Sequence, residues 1–103
     1  MREETLRVAE RYIDAVRQND ASALPLHPDI VGIFPMNTYR GAAAFREALE
    51  PFVQIVKKID VKHIIADGEH CVALLEIDTT FGVIGFAEHI HVADGQIIFV
   101  RGY

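Results

Sequence analysis

Glu88 is a single carboxylic acid within an apolar stripe. Residues 83–92 have the composition of a β-strand, in which side chains two residues apart share a face. The other positions of that face are Ile84, Phe86, Ile90 and Val92. A carboxyl group buried among them has a raised pKa, because burial disfavours its charged form, and it can act as a general acid or base or donate a hydrogen bond while protonated. The alternative is that Glu88 is solvated at the rim of the sheet or paired with a nearby cation.

Two further acids, Glu76 and Asp78, lie two residues apart on the preceding predicted strand. They share a face with Val72 and Leu74, whereas the other face is apolar almost throughout: Cys71, Ala73, Leu75, Ile77 and Thr79. Composition alone therefore favours an outward orientation for the two acids. If they face inward instead, they form an acidic cluster with Glu88 whose protons titrate as a coupled set.

The histidines offer a second kind of chemistry. His89 and His91 share one face of their strand, opposite Glu88, and such a pair binds a metal ion when a third ligand converges on it. His63 is the residue of the sheet that would supply that ligand, but we expect no metal site. We expect His89 and His91 on the outer face of the sheet and His63 in the pocket or, alternatively, as a hydrogen-bonded core residue. His70 falls in a turn, where we expect it to be solvated.

The residues from 59 onward predict four strands joined by three tight turns. The turns fall at Asp67-Gly68, Phe81-Gly82 and Asp94-Gly95, and an Asp-Gly pair between apolar runs is a strong hairpin signal because glycine accepts the positive φ of the turn. The predicted strands are Ile59–Ala66, Cys71–Thr80, Val83–Val92 and Gln96–Arg101. They form an antiparallel meander with one face to be covered.

The residues before 59 supply that cover. Apolar residues at helical spacing predict a helix from Glu3 to Gln18, and a short second helix, Ala21 to Leu24, ends at Pro25. A short strand covers Ile30 to Phe34. A third helix begins at Gly41, and because its apolar stripe keeps its phase across Pro51, we predict a kinked helix or two abutting helices there. The stripe comprises Phe45, Ala48, Leu49, Phe52, Val53 and Val56. The pattern is α+β, with helices on one face of an antiparallel sheet.

Length and composition exclude several classes of protein. A chain of 103 residues, half of them apolar, forms a single domain over residues 1–103. The net charge of −5 disfavours nucleic acid as a partner. No apolar run approaches the roughly 20 residues that span a membrane. We interpret Cys71, the single cysteine of the sequence, as a small buried residue. A single cysteine suggests a reducing, cytoplasmic setting. The sequence contains no phosphate-binding loop or nucleotide fingerprint, and we expect no cofactor.

The order of several segments resembles the NTF2-like superfamily, in particular its SnoaL-like and ketosteroid-isomerase-like branches. The resemblance is carried by residues 11–20, by residues 27–35, by Gly41 with Phe45, and by residues 94–103. It implies a cystatin-like, cone-shaped curved sheet of one short and four long strands, covered by three N-terminal helices. It also implies an apolar pocket for a small apolar organic molecule. Members of the superfamily include isomerases, hydrolases, cyclases and non-catalytic binding or assembly domains.

The resemblance also assigns roles to particular positions. In ketosteroid isomerases a protonated acid on the equivalent strand and a tyrosine of the first helix form an oxyanion hole, and Glu88 and Tyr12 match those positions. Phe34 occupies the position of the general base of those isomerases. The oxyanion hole is therefore matched in this chain, but the complete isomerase mechanism is not. In limonene-epoxide-hydrolase-like members an acid equivalent to Asp78 faces the pocket, which favours an inward orientation for Asp78 and Glu76. Two other residues of the epoxide-hydrolase site are replaced in this chain, so the epoxide mechanism is not carried over.

These observations lead to a pocket protein and three candidate functions. The first is a cofactor-independent acid–base enzyme of the isomerase, cyclase or hydrolase type. The second is a non-catalytic small-ligand binder, and the third is an assembly domain with a filled cone. The candidate catalytic residues are Tyr12, Glu88, Asp78 and Glu76, and the candidate substrate-binding residues are Phe34, Phe52, His63 and Phe86.

We also expect a homodimer, because no helix is left over to cover the outer face of the sheet. In one assignment of the strands, that face carries Leu75, Ile77, Ile97, Phe99 and the His89/His91 pair.

Overall fold

The computed structural model describes residues 2–103 and combines two α-helices with a six-stranded sheet. Helix α1 is Arg2–Arg17 and helix α2 is Ala42–Ile55, and a single 3₁₀ turn covers Ala21–Ala23. The strands are β1 Leu26–Ile33, β2 Thr38–Arg40, β3 Val56–Asp67, β4 His70–Thr79, β5 Gly82–Ala93 and β6 Gln96–Gly102. The fold class predicted from the sequence, α+β, is confirmed. Within these residues no helix is long and apolar enough to cross a membrane.

The sheet is curved and open, with the strand order β2-β1-β6-β5-β4-β3. Strands β3 to β6 pair with their neighbours in antiparallel fashion, so the predicted meander is confirmed. Strand β1 pairs with β6 in parallel, which brings the beginning of the sheet against its last strand. Both helices pack on the inner face, and the core lies between them and the sheet.

Two elements differ from the sequence prediction. The predicted second helix is only one 3₁₀ turn, in which the Asp20 side chain accepts a hydrogen bond from the Ser22 amide at 3.1 Å. The cover therefore has two α-helices rather than three. Strand β2 lies between the predicted short strand and the predicted third helix, where no strand was predicted, and it forms a hairpin with β1 in which Gly32 is paired with Tyr39. Three residues are too few to carry a recognisable alternation, so this strand has no signal in the sequence pattern.

Pro51 does not interrupt α2, which runs unbroken from Ala42 to Ile55. Its side chain is exposed on the surface of the helix. Phe45 and Val53 are fully buried on the opposite side of the same helix.

The register of the sheet determines which side chains face the helices. Ile77 of β4 is opposite Ile84 of β5, and Ala73 is opposite Glu88, so these residues lie on the inner face. Leu75, Ile77 and Ile97 are buried in the core. The assignment of the strands that placed them on the outer face was wrong. Strand β4 turns its more apolar side toward the helices, and a register shift between His91 and Val92 pairs Ile97 with the buried Val92.

Gly32 lies where an aromatic ring approaches the backbone of β1. A Cβ atom at this position would lie 2.6 Å from Phe45 Cδ2 and 3.2 Å from Phe34 Cε2. Because Phe45 is fully buried, its ring cannot move away without disturbing the core.

We expect Gly32→Ala to lower the free energy of unfolding by about 1–3 kcal/mol, the usual cost of overpacking a core. Urea denaturation measures this change. The matched control is Gly85→Ala on β5, where an added Cβ meets nothing within 4 Å. Equal unfolding free energies for the two variants would show that the Phe45 ring does not close on Gly32.

Candidate functional site

A cavity of about 320 Å³ lies between the inner face of the sheet and the two helices. Its walls are mainly apolar, and they include the partly exposed side chain of Ile84. Phe34, Phe52 and Phe86 line it, in the places expected from the sequence. Its polar side chains are Tyr12, Asn37, Tyr39 and Glu88. Such a cavity, with few polar groups among apolar walls, is typical of a site for a small organic ligand.

Glu88 contributes the carboxyl group of this cavity. Its side chain is 5% exposed, and no ion pair among residues 2–103 includes it. Burial raises the pKa of Glu88 to about 7, and the hydrogen bond from Tyr12 opposes this rise in part. Near neutral pH the carboxyl group is therefore present in both protonated and ionised forms.

Tyr12 reaches Glu88 from helix α1. Its hydroxyl donates to Glu88 Oε2 at 3.5 Å. Burial, and then the negative charge of Glu88, raise the pKa of Tyr12 well above its usual value, so its hydroxyl remains a donor. The distance exceeds the roughly 2.5–3.0 Å of a well-formed hydrogen bond between two oxygens. The two groups are therefore close enough to act on one ligand atom but are not tightly bound to each other.

Gly102 of β6 lies directly opposite Glu88 in the sheet. A Cβ atom there would lie 2.7 Å from both Phe34 Cδ1 and Phe86 Cζ. The missing side chain thus allows the two rings to pack over β6 beside the carboxyl group. A lone glycine near the end of a strand gives no signal of this role in the sequence.

Glu76 and Asp78 do not belong to the site. Both alternate with the buried Leu75 and Ile77, so they lie on the outer face of β4. Glu76 is exposed, and its Oε1 is 4.0 Å from Lys62 Nζ. The catalytic assignment of these two acids was therefore wrong. The predicted acidic cluster does not form, and Glu88 is the one carboxyl group lining the cavity within residues 2–103.

His63 was also misplaced by the sequence pattern. A register shift in β3 between Val61 and His63 changes the phase of the alternation. His63 consequently pairs with Leu74 on the outer face, is exposed, and does not line the cavity. A β-bulge of this kind leaves no clear mark in a sequence.

His89 and His91 lie on the outer face, as expected, and they are joined there by His70. No group of three or more His, Cys, Asp or Glu residues has a geometry suited to a metal ion in residues 2–103.

The chain matches the family model of the SnoaL-like domain over residues 9–100. Among solved structures, a protein from Kribbella flavida DSM 17836 has a TM-score of 0.89 and 28% sequence identity, and the alignment covers 95% of this chain and 84% of that one. A steroid delta-isomerase from Pseudomonas aeruginosa has a TM-score of 0.78 at 22% identity, covering 96% of this chain and 77% of the isomerase. A candidate polyketide cyclase from Sinorhizobium meliloti has a TM-score of 0.83 at 18% identity, covering 94% of each chain.

No curated protein matches this chain in sequence. The isomerase and the candidate cyclase are too distant in sequence to show more than a shared fold. The family model, in contrast, covers most of the chain, and its match agrees with the observed architecture. The chain belongs to the SnoaL-like domain family.

Proposed function

We propose that this protein binds a small, mostly apolar organic molecule and performs acid–base chemistry on it through Glu88. The observation that carries the proposal is a buried carboxyl group, with a pKa of about 7 and no cationic partner among residues 2–103, facing an apolar cavity. Isomerase and cyclase relatives of the same fold support it by analogy.

The two polar groups of the Tyr12–Glu88 pair have complementary roles. Tyr12 donates a hydrogen bond to a carbonyl oxygen of the ligand, while ionised Glu88 removes a proton from the adjacent carbon. The electron pair of the broken C–H bond moves to the carbonyl oxygen, where Tyr12 stabilises the resulting enolate. Protonated Glu88 then returns the proton to the same carbon or to another position. This scheme needs no second carboxylate, in agreement with Phe34 at the position of the general base in ketosteroid isomerases.

The size and lining of the cavity restrict the ligand. A volume of 320 Å³ lies at the lower end of the roughly 300–1,000 Å³ typical of ligand pockets. A ring compound with one carbonyl group fits this description, since its carbonyl oxygen can approach Tyr12 and Glu88 while its hydrocarbon part contacts Phe34, Phe52 and Phe86.

A non-catalytic binder is the second candidate. Protonated Glu88 and Tyr12 can both donate to one ligand oxygen, and this arrangement needs no proton transfer to carbon. The pKa of Glu88, about 7, supports this alternative, because it keeps a protonated carboxyl group available as a donor near neutral pH. A reaction assay separates the two candidates.

The first prediction concerns stability and pH. In an unfolded chain the pKa of a glutamic acid is about 4.3, whereas that of folded Glu88 is about 7. The folded state therefore binds more protons between these values, and the contribution of Glu88 to the free energy of unfolding is lost as pH rises through this window. We expect Glu88→Gln to flatten this dependence and to make the protein more stable than the parent above pH 7, by at most about 4 kcal/mol.

Urea denaturation at several pH values between 4.5 and 8 measures the effect. Glu47→Gln, on the exposed surface of α2, removes one acid without touching the cavity and serves as the control. Parallel stability profiles for the parent and Glu88→Gln would contradict a raised pKa.

The second prediction concerns Tyr12. Its hydrogen bond lowers the pKa of Glu88, so Tyr12→Phe should raise that pKa further. An NMR titration of the Glu88 carboxyl carbon measures the change. Tyr39→Phe is the matched control, because Tyr39 lines the same cavity but is not a hydrogen-bond partner of Glu88. A Glu88 pKa that is the same in Tyr12→Phe and in the parent would show that the two groups do not interact.

The third prediction tests the reaction. With cyclohex-2-enone as a probe in deuterated buffer, we expect the protein to exchange the acidic C–H hydrogens faster than buffer alone, as measured by proton NMR. Glu88→Gln should abolish this acceleration, and Tyr12→Phe should reduce it roughly tenfold or more.

The outer-face variants Glu76→Gln and Asp78→Asn should retain the full rate. Binding of the enone by calorimetry without exchange would favour the non-catalytic binder. The absence of both binding and exchange, for this probe and for a panel of larger cyclic ketones, would contradict the proposal.

A further inference from the structure

The cavity contains two polar side chains that the proposed chemistry does not use. They are Asn37 and Tyr39, which lie in the hairpin formed by β1 and β2. Because they are two residues apart in extended chain, their side chains share a face, and both line the cavity. Thr38 and Arg40, which alternate with them, are exposed on the opposite face of the same strand.

A tight hairpin turn fixes the position of Asn37. Its carbonyl accepts a hydrogen bond from the Phe34 amide at 2.8 Å, so only Pro35 and Met36 form the loop between the two strands. The ring of Phe34 then packs against Tyr39, with centroids 6.1 Å apart. Backbone pairing and aromatic contact therefore hold both polar residues in place, and the polar atoms of their side chains are not needed for this.

Those polar atoms are available to a ligand. Within residues 2–103, no side-chain hydrogen bond includes Asn37 or Tyr39. The amide group of Asn37 offers two donors and an acceptor, and the hydroxyl of Tyr39 offers a donor. Covering such groups with a purely hydrocarbon ligand costs affinity, because their hydrogen bonds to solvent are not replaced.

The register of the sheet places Asn37 in one row with Glu88. Glu88 is opposite Gly102 on β6. Gly102 is level with Phe34, which directly follows β1, and a Cβ atom on Gly102 would lie 2.7 Å from the Phe34 ring. Phe34 is in turn paired through the hairpin with Asn37. The row crosses three strand spacings, or about 14 Å between the backbones at its two ends.

This row has polar groups at both ends and an aromatic surface between them. The Tyr12–Glu88 pair forms the buried end, and Asn37 with Tyr39 forms the other end, where Asn37 is exposed. The ring of Phe34 lies between the two. No lysine or arginine lines the cavity within the described residues, so the far group of a ligand that fills the row is neutral rather than anionic.

We propose that Asn37 and Tyr39 form a second polar subsite, which binds a carbonyl oxygen at the far end of the ligand, and that the ligand is a fused-ring compound with two carbonyl groups. The inference rests on the proposed function, from which it takes the first carbonyl group, held by Tyr12 and Glu88. The Tyr39 hydroxyl and the Asn37 amide both donate, and the two lone pairs of one carbonyl oxygen accept both hydrogen bonds.

The two ends of the row have different tasks. The carbonyl group beside Glu88 reacts, whereas the carbonyl group at Asn37 and Tyr39 orients the ligand. Fixing the far end determines which carbon of the ring system faces the Glu88 carboxyl group, and such orientation contributes directly to the rate of a proton transfer.

Calorimetry with a matched pair of probes tests the subsite. The first probe is a bicyclic enone of the hexahydronaphthalenone type, and the second is the dione that carries an additional carbonyl group on its other ring. The parent should bind the dione about three- to tenfold more tightly, as expected for one net hydrogen bond. The double variant with Asn37→Leu and Tyr39→Phe should abolish this preference. A three-ring enone and its dione extend the test to a longer ligand.

Thr38→Val is the matched control. It removes a hydroxyl group from the outer face of the same strand and should retain the preference for the dione. Proton–nitrogen NMR provides a second readout, in which the side-chain amide signals of Asn37 are identified by their loss in Asn37→Leu. These signals should shift when the dione is added and much less when the enone is added. Circular dichroism verifies that the variants are folded.

The possible results distinguish this inference from the proposed function. Equal affinities of the parent for the enone and the dione, or a preference that persists in the double variant, would overturn the subsite and leave the role of Glu88 intact. If neither the two-ring nor the three-ring probes bind at all, the proposed function fails and the subsite fails with it.

Discussion

The alternation of side chains across the sheet is the constraint on which the rest of the structure depends. Strand β5 places Glu88 on one face and His89 on the other, so adjacent residues serve entirely different environments. The inner face must be apolar because the two helices pack on it. The acid that this face carries, Glu88, is consequently desolvated. The outer face has no such requirement, and most of the charges of the sheet lie there.

The sequence predicted those features for which one strand face was clearly more apolar than the other. Glycine turns marked β3 to β6, and the stripe around Glu88 identified its buried position. Strand β4 was harder because apolar residues occur on both of its faces, Leu74 outside and Leu75 inside. Analogy with epoxide hydrolases then turned Glu76 and Asp78 inward, although composition alone favoured the observed orientation. Local composition was the better guide here, because it reflects the burial of this chain's own residues.

Other features depend on long-range structure and were not accessible from sequence patterns. The bulge that moves His63 outward depends on the pairing of β3 with β4. The meeting of His70 with His89 and His91 requires a register in which residues 19 and 21 positions apart become neighbours across two strands. Strand β2 exists because β1 offers it a partner, and its three residues have little strand character of their own.

The position of β6 within the sheet has a consequence for how the protein forms. Residues 96–102 are the last strand in the chain but lie between β1 and β5, where they join the β1–β2 hairpin to the β3–β5 meander. Leu26 is opposite Ile97, so this junction closes a loop of about 70 residues, the kind of distant contact that slows folding. During synthesis the two parts of the sheet cannot be joined until residues 96–102 have emerged from the ribosome. Until then, the edges of β1 and β5 remain unpaired, and the nascent chain depends on its surroundings to keep them apart from other chains.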